Sequence, residues 1–123
     1  MVVDSTIFIE HLRAKDKEKT TLSGLPASAI LYVSAVTVFE LFCGAIDANK
    51  HRQVQTILQD VLILPVTAII GEKAGEIFRD LRTKGLMIEI SDILIAATAL
   101  VNDLPVKTLN IRHFSRVQGL TLT

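Results

Sequence analysis

The chain has a single cysteine, no excess of either charge and no apolar run long enough to cross a bilayer. One cysteine, Cys43, excludes an internal disulfide and a thiolate zinc cluster. It lies in the apolar run Val38-Phe39-Glu40-Leu41-Phe42-Cys43, where a buried, inert thiol is the expectation. The 13 Lys and Arg residues balance 13 Asp and Glu, which argues against a strong non-specific nucleic-acid binder but permits local basic patches. No segment approaches the roughly 20 apolar residues of a membrane span. Met1-Val2-Val3-Asp4 has neither a basic nor a long apolar leader region, so no signal peptide is visible and a soluble cytoplasmic protein is expected. Internal repeats, low-complexity tracts and linkers are absent too. What is present is 50% hydrophobic and 21% charged residues in a 123-residue chain, enough for one domain over 1–123 with a real core. So high an apolar fraction in so small a chain also hints at surface covered by a partner.

Short β-branched or aliphatic runs alternate with helical patterns. Val2-Val3 reads as a buried strand ending at Asp4, and Thr6 to Arg13 as a short helix carrying Ile7, Phe8, Ile9 and Leu12. The charge-rich Ala14 to Thr21 reads as a solvated helix end and loop, and Leu22 to Pro26 as a turn. Ile30-Leu31-Tyr32-Val33 is a second buried strand, followed by helices over Val36 to Ala48 and Asn49 to Asp60. Val61 to Leu64 is a third strand, closed by Pro65, and an amphipathic helix runs from Thr67 to about Lys84, stopped by Gly85. A buried helix then ends near Val101 to Asp103, Leu104 to Leu109 forms a fourth strand, and Asn110 to Ser115 a helical turn. Leu120-Thr121-Leu122 is a candidate edge strand. Such alternation predicts an α/β fold, a mainly parallel four- or five-stranded sheet flanked by helices.

The stretch Ile90-Ser91-Asp92-Ile93-Leu94-Ile95-Ala96-Ala97-Thr98-Ala99-Leu100 is apolar on nearly every face, so it predicts a buried helix with a carboxylate at its start. Asp4 ends the first strand, Glu40 lies in the first turns of the helix after the second, and Asn110, preceded by Thr108, follows the fourth. All fall at the C-terminal edge of the sheet, where open parallel sheets bind ligands. Three converging carboxylates raise each other's pKa unless a cation neutralises them, and hard oxygen donors suit Mg²⁺ or Mn²⁺. Each residue also has a purely structural alternative. Asp4, Ser91, Asp92 or Asn110 can cap a helix, and Thr37-Val38-Phe39-Glu40 matches a capping box, which vanishes if the helix starts at Ser34.

Val2-Val3-Asp4-Ser5-Thr6, Ser34-Ala35-Val36-Thr37-Val38-Phe39-Glu40-Leu41, Ser91-Asp92-Ile93-Leu94-Ile95-Ala96-Ala97-Thr98-Ala99 and Thr108-Leu109-Asn110-Ile111-Arg112-His113-Phe114 resemble, in order and spacing, the PIN-domain ribonucleases, in particular VapC-type toxins of toxin–antitoxin pairs. The resemblance spans nearly the whole chain. It implies a PIN-like domain and a Mg²⁺-dependent endoribonuclease, with Mn²⁺ able to substitute. Asp4, Glu40 and Asp92 then match the acidic, catalytic metal ligands, and Asn110 falls where many members carry a fourth Asp. Thr6 and Thr108 would support the site. His113 falls where an acid is common; it and Asn110 remove negative charge and put a firmly held second metal in doubt. The resemblance further implies a homodimer and an antitoxin whose C-terminal segment lies in the active-site groove, with Phe8, Ile9, Leu12, Phe39 and Phe42 as candidate apolar surface for that partner. An RNA substrate needs cations beside this acidic site. The candidates are Arg112, Arg116, Arg79, Arg82 and Lys84, each with a solvated helix face as its alternative.

Two other classes compete. One is a catalytically weakened PIN-fold module that binds RNA or serves as a scaffold. The other, a phosphoacceptor receiver domain, needs a carboxylate after the third strand, where this chain has Leu64-Pro65-Val66. A phosphatase with paired aspartates after the first strand fails likewise, because Ser5 and Thr6 follow Asp4.

Overall fold

Val2 and Val3, both fully buried, face opposite sides of a sheet, and the two halves of the core grow from them. The computed structural model describes residues 1–123. Its elements run β1 (Val2–Val3), α1 (Ser5–Arg13), a 3₁₀ turn (Lys17–Lys19), β2 (Tyr32–Ser34), α2 (Ala35–Cys43), α3 (Ala48–Ile57), β3 (Leu62–Leu64), α4 (Ala68–Lys84), α5 (Ile90–Val101), β4 (Val106–Lys107) and α6 (Ile111–Phe114). The four strands are parallel in the order β3-β2-β1-β4. Val2 pairs with Tyr32 on one side and Val106 on the other.

The chain therefore winds outward from β1 to β2 to β3, then crosses back to place β4 on the far side of β1. Val3 and Val33 pack with Ile7 and Phe8 of α1, Leu41 of α2 and Val54 of α3. Val2 and Val106 pack with α4, α5 and Phe114 of α6. The segments after β1 and β4 thus leave for opposite faces, opening a crevice between the ends of those two strands.

Local chemistry explains most boundaries. Ser34 caps α2 by accepting the Val36 N–H at 3.1 Å, so the capping box at Thr37 does not form and Glu40 lies inside the helix. Gly44 ends α2 earlier than Ala48, and Asp47 caps α3 by accepting the Lys50 N–H at 2.8 Å. Thr67 caps α4, and Gly85 ends it in the left-handed region at φ 66°, a conformation that penalises any Cβ. α5 begins at Ile90, with Glu89 in the cap position and no side-chain cap bond, so neither Ser91 nor Asp92 serves as the cap.

Three expectations change, and the burial of the third strand, which the sequence leaves open, becomes visible. Cys43 is exposed, not buried, because it ends α2 on the outward side shared with Phe39. Phe8 is fully buried and so belongs to the core, not to a partner surface. β3 is an edge strand with Leu62 and Ile63 more than half exposed. The Leu120–Leu122 segment makes a single bridge, Val106 to Leu122, instead of a fifth strand.

α5 is what the second face is packed around. Ile95, Ala96, Ala97 and Ala99 are completely buried, and the alanines let the helix approach its neighbours closely. Ile95→Ala is expected to cost about 2–5 kcal/mol in urea unfolding. A loss below about 1 kcal/mol would mean that the surroundings collapse onto the site.

Candidate metal site at the sheet edge

The crevice between β1 and β4 is closed at its base by Asp4, only 1% exposed. Its Oδ2 accepts from the hydroxyl of Thr6 at 2.8 Å and from that of Thr108 at 2.7 Å. Each hydroxyl in turn accepts a backbone N–H, Thr6 from Leu109 at 3.0 Å and Thr108 from Asn110 at 2.9 Å. Both hydroxyl protons are thereby committed to Asp4. The 3.4 Å approach of the two threonine oxygens to each other is consequently a close contact and not a third bond. Oδ2 is saturated while Oδ1, equally buried, has no partner. Although Asp4 stands at the cap position of α1, its side chain makes no cap bond.

Glu40 projects from the middle of α2 with Oε1 also buried and unpartnered. Burial, then the charges of Asp4 and Asp92, push its pKa up, against a smaller pull down from the Ser5 and Ser91 hydroxyls. Asp92, at the third position of α5, is pushed up from the ordinary 3.8 to about 6. Burial is the largest cause, followed by Asp4 and Glu89, while the Asn110 amide, and His113 whenever its ring is charged, oppose it. Asn110 Nδ2 donates to Asp92 Oδ2 at 3.2 Å and lies 2.9 Å from His113 Nδ1. Asn110 makes no side-chain cap bond to α6.

Asp4 is therefore close enough to Glu40 and Asp92 to disfavour their charge, and Asp92 adds to the effect on Glu40, with Asn110 attached to Asp92. They do not close into a cage, since no three His, Cys, Asp or Glu side chains stand at metal-holding spacing. The donor set still fits a divalent cation. Two buried carboxylate oxygens without partners are costly in a protein interior, and Mg²⁺ commonly takes only one or two carboxylates and keeps several waters.

The basic residues divide. Arg116 straps the α4–α5 connection, donating from Nη1 to the carbonyls of Leu86 at 3.4 Å and Met87 at 3.1 Å. Lys84 pairs with Asp80 at 2.9 Å along α4. Arg79, Arg82 and Arg112 are exposed. Two cations that the sequence reading passed over, Arg13 and Lys50, flank a groove of about 240 Å³ between α1, α2 and α3 that ends at Glu40 and is floored by Ile9, Leu12, Leu41 and Val54. Ser5, beside Glu40, and Glu89, beside Asp92, carry no role in the sequence pattern, and Ser91, there only a cap candidate, lies beside Glu40 instead.

A parallel α/β domain with an acidic crevice at its strand ends is the class that these features define. The sequence matches the PIN domain family over residues 1–120, and the chain belongs to that family. It is 35% identical over 120 residues to ribonuclease VapC10 of Mycobacterium tuberculosis, covering 98% of this chain and 90% of that protein. It is 29% identical over 123 residues to ribonuclease VapC1 of Methanocaldococcus jannaschii, covering 99% and 84%. Among solved structures, the fold matches VapBC2 from Rickettsia felis bound to a promoter DNA fragment with a TM-score of 0.87 at 23% identity, covering 99% of this chain and 96% of that one. It matches FitAcB from Neisseria gonorrhoeae with a TM-score of 0.82 at 28% identity, again covering 99% and 96%.

The raised pKa of Asp92 has a consequence for stability. A carboxyl whose folded pKa exceeds its unfolded value favours the fold while protonated; that contribution is complete below about 4 and is lost as pH rises through about 6. Asp92→Asn removes the charge, so at pH 8 without metal the variant should melt roughly 4 °C above wild type, the shift that about 1 kcal/mol gives in a domain of this size. The gap should close by pH 4. A variant that melts lower than wild type at pH 8 would contradict the crowding of charge at this site.

Proposed function

We propose that this protein is a metal-dependent endoribonuclease, the toxin of a VapBC-like toxin–antitoxin pair, using Mg²⁺ with Mn²⁺ as a substitute. The observation that carries the reading is the pair of buried, unpartnered oxygens, Asp4 Oδ1 and Glu40 Oε1, beside Asp92 in a chain whose relatives are named ribonucleases. Asp4, Glu40 and Asp92 would hold the ion, with Asn110 Oδ1 as a neutral fourth donor. When bound, a divalent ion neutralises charge on phosphate oxygens and lowers the pKa of water. Asp4 is the anchor, because the Thr6 and Thr108 hydroxyls fix its orientation. Asp92 is suited to take a proton from the attacking water. Its Oδ2 accepts from Asn110, and its Oδ1 makes no hydrogen bond.

RNA would approach past Arg112 on one side and Arg13 and Lys50 on the other, all exposed around the acidic crevice. The groove between α1, α2 and α3 suits the antitoxin segment, since it is apolar along its floor and ends at Glu40; solved neighbours of this fold include toxin–antitoxin complexes. A homodimer would use the apolar face formed by Val36, Phe39, Val66, Ile90 and Leu94, where Phe39 is 69% and Ile90 66% exposed. No helix is long and apolar enough to cross a membrane, and a proposed RNA substrate favours action in the cytoplasm.

The neutral Asn110 and the open spacing of the acids favour one second reading, a non-catalytic RNA-binding or scaffold module. Incubating a mixed RNA pool with wild type and Asp4→Asn in Mg²⁺, Mn²⁺ or EDTA separates the two. Cleavage that needs metal and falls by about 10²-fold or more in the variant is expected. RNA retention without cleavage in any lane would instead select the binding module.

A further inference from the structure

The hydrogen bonds around Asn110 assign a role to His113 that rests on the metal-dependent reading above. The Asn110 amide nitrogen has two hydrogens and lies between two groups, Asp92 Oδ2 at 3.2 Å and His113 Nδ1 at 2.9 Å. An ionised carboxylate only accepts, so one hydrogen points to Asp92. The other then points to His113 Nδ1, which must carry a lone pair. A ring accepting at Nδ1 is neutral and bears its proton on Nε2. The amide carbonyl, Oδ1, makes no hydrogen bond.

We propose that His113 is a positioning residue. By accepting the second amide hydrogen of Asn110 it fixes the plane of that amide and turns Oδ1 into a set donor for the divalent ion. A single bond to Asp92 would leave the amide free to pivot about it. The second bond removes that freedom. His113 itself is held by the fold: α6 places its side chain three residues after Asn110, its N–H donates to the Asn110 carbonyl at 3.2 Å, and the adjacent Phe114 is fully buried. The two residues that together remove acidic groups from this site thereby act as one unit, an oriented neutral oxygen in place of a charged one. Groups that orient a ligand in this way commonly matter about 10–100-fold in metal affinity.

The first measurement is the ring tautomer in metal-free protein at pH 8, from long-range ¹⁵N–¹H correlation of histidine-labelled wild type. A bare Nδ1 and a protonated Nε2 at His113 are expected; a proton on Nδ1 overturns the inference. The second is Mn²⁺ affinity by calorimetry for wild type, His113→Leu and His113→Asn, with circular dichroism to establish folding. Leu offers no acceptor, and its affinity should fall by about 10-fold or more. Asn offers an oxygen near the place of Nδ1 and should stay within about threefold of wild type, a rescue that a merely packed ring would not predict. Equal affinity of wild type and folded His113→Leu overturns the role of His113 while leaving the metal-dependent reading intact. Wild type that binds no Mn²⁺ defeats that reading, and His113's role with it.

Discussion

Asp4 carries a carboxylate in a place that excludes water, and two threonine hydroxyls make this possible. Burying such a charge without partners would cost several kcal/mol, whereas a hydrogen bond to a charged group contributes about 1.5–3 kcal/mol. Thr6 comes from the first turn of α1 and Thr108 from just beyond β4, so the carboxylate ties together the segments that follow the two central strands. The backbone N–H groups of Leu109 and Asn110 complete the arrangement by donating to those hydroxyls. The position of Asn110, and through it the contact with Asp92, depends on this small network.

The same network sets the electrostatics. With Oδ2 saturated, the charge of Asp4 is displayed through Oδ1, toward Glu40 and Asp92. Both feel it as one of the causes that raise their pKa, second only to burial. Water is excluded from Asp4 itself, while Glu40 and Asp92 are half-buried. A divalent cation would relieve the desolvation of the orphaned oxygens and the mutual repulsion at once, which is why the site is read as built for one.

Much of this was legible in the sequence, for reasons that particular residues show. Val2-Val3, Tyr32-Val33 and Leu62-Ile63-Leu64 announce strands because apolar runs this short, bounded by polar or turn residues, have few other uses. Gly85 announces the end of α4 because only glycine takes that backbone conformation without strain. The order of Asp4, Glu40 and Asp92 placed all three at one sheet edge, since in a parallel α/β chain every strand ends there. What sequence could not carry was whatever depends on helices meeting. The groove flanked by Arg13 and Lys50 exists only because α1 and α3 pack beside α2. Arg116 reads as one more exposed cation until the α4–α5 connection is seen beneath it. Cys43 sits in an apolar run, yet its burial depended on which side of α2 faced the core. Ser5 and Glu89 acquire a meaning only once the folded helices bring them beside Glu40 and Asp92.

The central claim is that Asp4 Oδ1 is held open for a divalent cation. Anomalous diffraction from crystals soaked in Mn²⁺ tests it most directly. The account predicts one strong peak within about 2.5 Å of Asp4 Oδ1, with Glu40 or Asp92 in the same coordination sphere. Peaks confined to the protein surface, with Asp4 Oδ1 still unligated at saturating Mn²⁺, would contradict it.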